Sequence, residues 1–148
     1  MFDDEKLWNY CQKNEWIKFL YLFGSYATGK FNPMSDIDLA VMVNDVNSDK
    51  AYIDLLLRLN TDFPNLLQRD DIDVVILNNA PLTLRYRILE TGKLLFCRDN
   101  KLRVRFTYET VRDYLDFEPL LKVHKKALLS IAKEGRLGIP GRRYLSTF

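Results

Sequence analysis

GSYATGKFNPMSDIDLAV, residues 24–41, turns at Gly24-Ser25 after an apolar run, wanders for ten residues, and then sets Asp36 and Asp38 at the head of a second apolar run. Side chains alternate along a strand, so the two aspartates point the same way with Cα atoms roughly 7 Å apart. Ile37, Leu39, Val41 and Val43 take the opposite, packing face. Two carboxylates this close, partly withdrawn from water, repel unless a cation sits between them. Mg2+ accepts all-oxygen ligands and shares its carboxylates with substrate phosphates. Gly24 lets the backbone turn tightly and approach a ligand, Ser25 adds a hydroxyl, and the helical turn expected after it offers N–H groups to an anion. The pattern reads as a phosphate cradle facing a metal clamp.

In-line displacement at phosphorus also needs a base or a further metal ligand to prepare the attacking hydroxyl. RDDIDVVIL, residues 69–77, offers candidates. Asp71 and Asp73 share one strand face and Asp70 takes the other; periodicity does not choose between Asp71 and Asp73.

The rest of the chain frames these strands. Residues 3–15 predict a helix, with Leu7, Tyr10 and Cys11 at helical spacing behind an acidic start. WIKFLYLF, 16–23, predicts a buried strand closed by Gly24, and DIDLAVMV, 36–43, a second. A helix is expected from Ala51 to about Leu59, ending before Pro64. A third strand covers 71–77, a helix runs from just past Pro81 to Gly92, and KLLFCR makes a short fourth strand. From about Thr107 to Glu134 the apolar spacing predicts one long helix, or two broken near Pro119. The last residues lack periodicity and read as a mobile basic tail.

At 148 residues, 47% apolar and 28% charged, the chain has the composition of one soluble globular domain. A catalytic core over 1–100 and a helical extension with its tail over 101–148 are expected within that domain. Cys11 and Cys97 lack metal-ligand spacing and read as reduced thiols. With neither a signal-type apolar segment nor a bilayer-length apolar run, the expected location is cytoplasmic, away from the membrane.

The spacing Gly24-Ser25, ten residues, Asp36-Ile37-Asp38 resembles the signature of the polymerase β-like nucleotidyltransferase superfamily. With IDVVILNNAP and ETGKLLF downstream, the chain is similar to the minimal nucleotidyltransferases, and its C-terminal helix and basic tail resemble those of MntA-type antitoxins. The resemblance implies an α/β fold, a small mixed sheet flanked by helices with a long C-terminal helical segment. It implies that Gly24 and Ser25 hold the triphosphate of ATP, that Asp36 and Asp38 bind Mg2+, and that Asp73 is the third carboxylate. It further implies a HEPN-domain ribonuclease toxin as partner, silenced by transfer of AMP from ATP to one of its tyrosines. The family's loop often reads Gly-Ser-x-Ala-Arg-Gly, whereas Thr28 stands where that arginine would be, which weakens phosphate contacts or changes the preferred nucleotide. Two other functions fit the chain: an antitoxin that neutralises by steric binding, a reading Thr28 favours, and nucleotidyl transfer to a small acceptor such as an aminoglycoside.

Other polar residues read as ordinary surface. His124 belongs on a helix face among lysines, and Arg85 and Arg87 on a solvated one. Asp71 reads as a solvated strand-edge residue. Tyr21, Phe23, Tyr86 and Phe96 read as core or pocket wall. Lys122, Lys125, Lys126, Lys133, Arg136, Arg142 and Arg143 make the C-terminal region basic and invite a nucleic-acid reading, but charge runs usually solvate a face and no stacking motif lies beside them, so direct nucleic-acid binding is not expected. An exposed apolar stripe along 111–131 would favour docking to a protein instead.

Overall fold

A computed structural model describes residues 3–134. Its first compact unit ends at Val111 and a second begins at Arg112. The first unit is built on a mixed sheet ordered β3-β2-β1-β4, formed by β1 (Ile17–Phe23), β2 (Ile37–Val43), β3 (Ile72–Ile76) and β4 (Lys93–Cys97). β2 runs antiparallel to β1 and parallel to β3, and β4 pairs antiparallel with β1. Parallel pairing requires a crossover, which α3 (Asp49–Leu67) supplies.

Both faces of the sheet are covered, which explains why the central strands read as almost unbroken apolar runs. Ile37, Leu39, Val41 and Val43 pack with Leu7 and Cys11 of α1 (Asp4–Lys13) and Leu59 and Phe63 of α3. Ala40 and Met42 face the other way, with Ile88 of α4 (Leu82–Thr91) and with Leu102 and Phe106 of α5 (Asn100–Lys133). The parity expected for β2 is therefore the parity found. In β1 an irregularity between Ile17 and Phe19 shifts the pairing, so that Ile17, Leu20 and Leu22 join the first cluster and Phe19 and Tyr21 the second.

Helix ends follow side-chain chemistry. Asp3 caps α1 by accepting from the Glu5 and Lys6 amides at 3.0 and 3.3 Å, and Ser48 caps α3 by accepting from Ala51 N at 3.1 Å. α3 does not stop before Pro64 as expected; it continues through it to Leu67. Phe63 is fully buried and Leu66 and Leu67 pack on the same core, so apolar burial outweighs the one helical hydrogen bond a proline removes. Gln68, with φ 54°, ends the helix in the left-handed region.

Two further boundaries differ from expectation. β3 ends at Ile76, and Leu77–Asn79 form a 3-10 turn. The side chain of Asn78 then takes the strand's place: its Oδ1 accepts from Val43 N at 3.0 Å and its Nδ2 donates to Val43 O at 2.9 Å. α5 begins at Asn100, seven residues before the expected start, because Asp99 accepts from Leu102 N at 3.0 Å and caps it. It passes Pro119 without a break. Beyond Arg112, its large exposed apolar side chains are Leu115, Phe117, Leu120, Val123 and Leu129, and His124 is exposed as expected. Arg136, Arg142 and Arg143 of the expected basic tail lie outside the described residues.

Candidate functional site

The Gly-Ser turn, the start of β2 and the start of β3 meet at one end of the sheet. Phe23, the last residue of β1, is the register partner of Asp38, and Asp38 is in turn the register partner of Asp73 across the parallel β2–β3 pair. Gly24 follows with φ 74° and caps α2 (Ser25–Thr28), its carbonyl accepting from Ala27 N at 3.1 Å and Thr28 N at 3.3 Å. A Cβ at Gly24 would collide with Asp38 Oδ2 and stand 3.1 Å from Asp38 Cγ. Glycine is thus demanded twice, by its backbone angle and by the carboxylate against it.

Asp36 is exposed just ahead of β2, Asp38 is half-buried, and Asp73 is exposed on β3. Asp38 is held above the usual carboxylate range, first by burial and then by repulsion from Asp73 and Asp36. That repulsion marks Asp73 and Asp36 as the acidic neighbours of Asp38. Among the described residues, no three His, Cys, Asp or Glu side chains are drawn together as a ready-made metal centre. Mg2+ needs no such cage, because it keeps several waters and takes one or two carboxylates plus substrate phosphates. Hard oxygen donors that repel one another fit that ion.

The structure separates the two aspartates that periodicity left equivalent. Asp73 stands opposite Asp38, whereas Asp71 is gripped by Arg69, which donates from Nε to Oδ1 at 2.8 Å and from Nη2 to Oδ2. Arg69 holds the Asp71 carboxyl below its ordinary range. The expectation of a solvated Asp71 is corrected: it is half-buried in a two-pronged ion pair. Arg85 is corrected likewise. Its Nη2 donates to Asn78 O at 3.1 Å, its guanidinium lies 5.7 Å from the Phe106 ring centroid, and its Nε is buried without a hydrogen-bond partner. Tyr21 and Phe96 are buried core residues and the half-buried Phe23 packs against the core, while Tyr86 is half-buried on α4.

At the position of the family arginine, Thr28 is exposed and bends its hydroxyl back toward the Gly24 and Ser25 carbonyls, both at 3.4 Å. It supplies no cation to the turn. Sequence reasoning also passed over Tyr26 and Arg69. Tyr26 stacks on Phe31 with ring centroids 4.4 Å apart and an interplanar angle of 8°, and its hydroxyl accepts from Arg69 Nη2 at 3.1 Å. The available signal was a Tyr directly after Gly-Ser and an Arg two residues before an Asp.

Known proteins resemble this chain in sequence and in fold. Residues 5–101 match the sequence profile described as Polymerase beta, Nucleotidyltransferase. Protein adenylyltransferase MntA of Shewanella oneidensis is 32% identical over 80 residues, covering 54% of this chain and 54% of that protein. The chain thus spans about half the length of that curated relative. A crystal structure of a toxin-antitoxin with AMP-PNP superposes with a TM-score of 0.67 at 25% identity, over 88% of this chain and 98% of the other. A structure of tri-AMPylated Shewanella oneidensis HEPN toxin in complex with MNT antitoxin gives a TM-score of 0.58 at 24% identity, over 88% and 95%, and supports the fold alone. With the profile covering most of its length, the chain belongs to the Polymerase beta nucleotidyltransferase family.

Proposed function

We propose that this chain is a cytoplasmic, Mg2+-dependent protein adenylyltransferase that transfers AMP from ATP to a tyrosine of a HEPN-domain toxin and thereby acts as its antitoxin. The observation that carries the reading is the contact of Gly24 with Asp38 in register with Asp73, which presses the phosphate-binding turn against the acidic cluster. The likeness to an adenylyltransferase and to a toxin-antitoxin with AMP-PNP supports the choice of ATP and of a protein acceptor. Exposed Leu115, Leu120, Val123 and Leu129 offer apolar surface for such a partner. Among the described residues, no helix is long and apolar enough to cross a membrane.

Each residue then has a part. Gly24 and Ser25 hold the triphosphate, the glycine by close approach of its backbone and the serine through its hydroxyl. Asp36, Asp38 and Asp73 would hold Mg2+, which when bound screens the charge of the phosphates and of the carboxylates themselves. Asp73, exposed on β3 beside the half-buried Asp38, faces the incoming hydroxyl and orients it in line with the departing pyrophosphate. The toxin hydroxyl oxygen bonds to the α-phosphorus, the α–β phosphoanhydride bond breaks, pyrophosphate leaves and the hydroxyl proton passes to an acidic side chain. Positioning and charge stabilisation carry the rate.

The test uses ATP labelled separately at the α- and γ-phosphates. Label on the toxin from α-labelled but not from γ-labelled ATP is the expected result; label from γ alone would make the chain a kinase, and label from neither would leave it a binding protein.

A further inference from the structure

We propose that Arg69 is a positioning residue that clamps the phosphate-binding turn and the acidic strands into one arrangement. The proposal rests on the nucleotidyltransferase reading above and adds to it a residue outside the acidic cluster. Arg69 follows the left-handed Gln68 at the end of α3, with its amide donating to Pro64 O at 3.1 Å. It therefore stands at the threshold of β3, where one guanidinium reaches two partners, Asp71 and Tyr26.

One fork of the guanidinium grips both oxygens of Asp71. The Asp71 backbone carbonyl in turn accepts from Ile37 N at 2.8 Å, and Ile37 is the residue between Asp36 and Asp38. Asp73 lies two residues further along the same chain. A second contact runs from Nη2 to the Tyr26 hydroxyl at 3.1 Å, with the guanidinium carbon 5.6 Å from the Tyr26 ring centroid. Tyr26 is buried in α2 immediately after Ser25, and its ring is stacked on Phe31. Arg69 thus ties the residue after Ser25 to the backbone that carries the acidic pair. A planar, five-donor fork serves both partners at once; a lysine has the charge but not the geometry. Small misplacement of groups that must meet in a transition state is costly, on the order of 100-fold for about 1 Å.

The test compares wild-type protein with Arg69→Ala, Arg69→Lys and Tyr26→Phe, the last keeping the ring stack and losing only the hydroxyl contact. For each, kcat and KM for ATP are measured with the partner toxin, alongside thermal melting and hydrogen exchange over residues 24–31 and 36–39. The expected result for Arg69→Ala is a fall in kcat on the order of 10- to 100-fold with a smaller change in KM, cooperative melting, and faster exchange in both segments. Arg69→Lys should recover little of kcat, and Tyr26→Phe should speed exchange in 24–31 alone. Unchanged exchange in both segments, or a kcat loss fully rescued by lysine, overturns the clamp. Should Arg69→Ala fail to fold, the lysine and phenylalanine variants decide by the same two readings. Wild-type protein that transfers nothing would overturn the functional reading, while the exchange data would still judge the clamp.

Discussion

Asp38 and Asp73 stand opposite one another across the parallel β2–β3 pair, and the half-buried Asp38 is flanked on its other side by Gly24. The fold therefore holds a carboxylate where burial and two like charges oppose its ionisation. Retaining such a cost suits a site that awaits a cation and phosphates rather than one that serves stability.

The sign of the effect gives a first prediction. A carboxyl whose folded pKa is raised adds stability below its unfolded pKa, and that contribution is lost as pH rises through the folded value. In metal-free buffer, Asp38→Asn should melt at the same temperature as wild type or higher at neutral pH, and the advantage should shrink toward acid. Melting curves across pH check this. Nucleotide transfer by the variant should be abolished.

Gly24→Ala should fail on two counts, since a side chain at φ 74° is strained and its Cβ meets the Asp38 carboxylate. The expected destabilisation is about 1–3 kcal/mol, with transfer activity lost even in protein that remains folded. Denaturant unfolding and an activity assay separate the two effects.

How much of this could be read from the chain depends on where the signal lies. Gly24-Ser25 and Asp36-x-Asp38 are local patterns whose spacing alone carries chemistry, and the β2 parity follows from alternation that both packed clusters bear out. The boundaries that moved depend on tertiary contacts, joined at the start of α5 by the local Asp99 cap. Phe63 buries the end of α3 and carries it past Pro64, and Leu102 and Phe106, hidden among Lys101, Arg103 and Arg105, extend α5 back to Asn100. Choosing between Asp71 and Asp73 needed the register of β2 on β3 and the guanidinium of Arg69, neither of which periodicity contains.

Thr28→Arg should place a cation beside the Gly24-Ser25 turn, where the proposed function puts the triphosphate. Position 28 is exposed and open space surrounds Gly29, so the larger side chain is accommodated. KM for ATP should fall by roughly three- to tenfold, a gain of about 1 kcal/mol typical of a partly exposed charge pair. Steady-state kinetics at varied ATP measures it, and an unchanged KM would show that the turn does not lack a cation.

Cys11 is fully buried between α1 and the sheet, and burial pushes its thiol up to about 12. It should resist alkylation in the native protein, while the partly exposed Cys97 reacts first. Mass mapping of native and urea-unfolded protein after brief iodoacetamide treatment checks the order.

The central claim is that the acidic cluster moves AMP onto a protein. Intact-mass spectrometry of a partner HEPN-domain toxin, incubated with ATP, Mg2+ and either wild-type protein or Asp38→Asn, tests it most directly. The account predicts toxin heavier by whole AMP units with wild type and unchanged with the variant. Unmodified toxin held in a stable complex with ATP-bound wild-type protein would contradict it, and would make neutralisation a matter of binding alone.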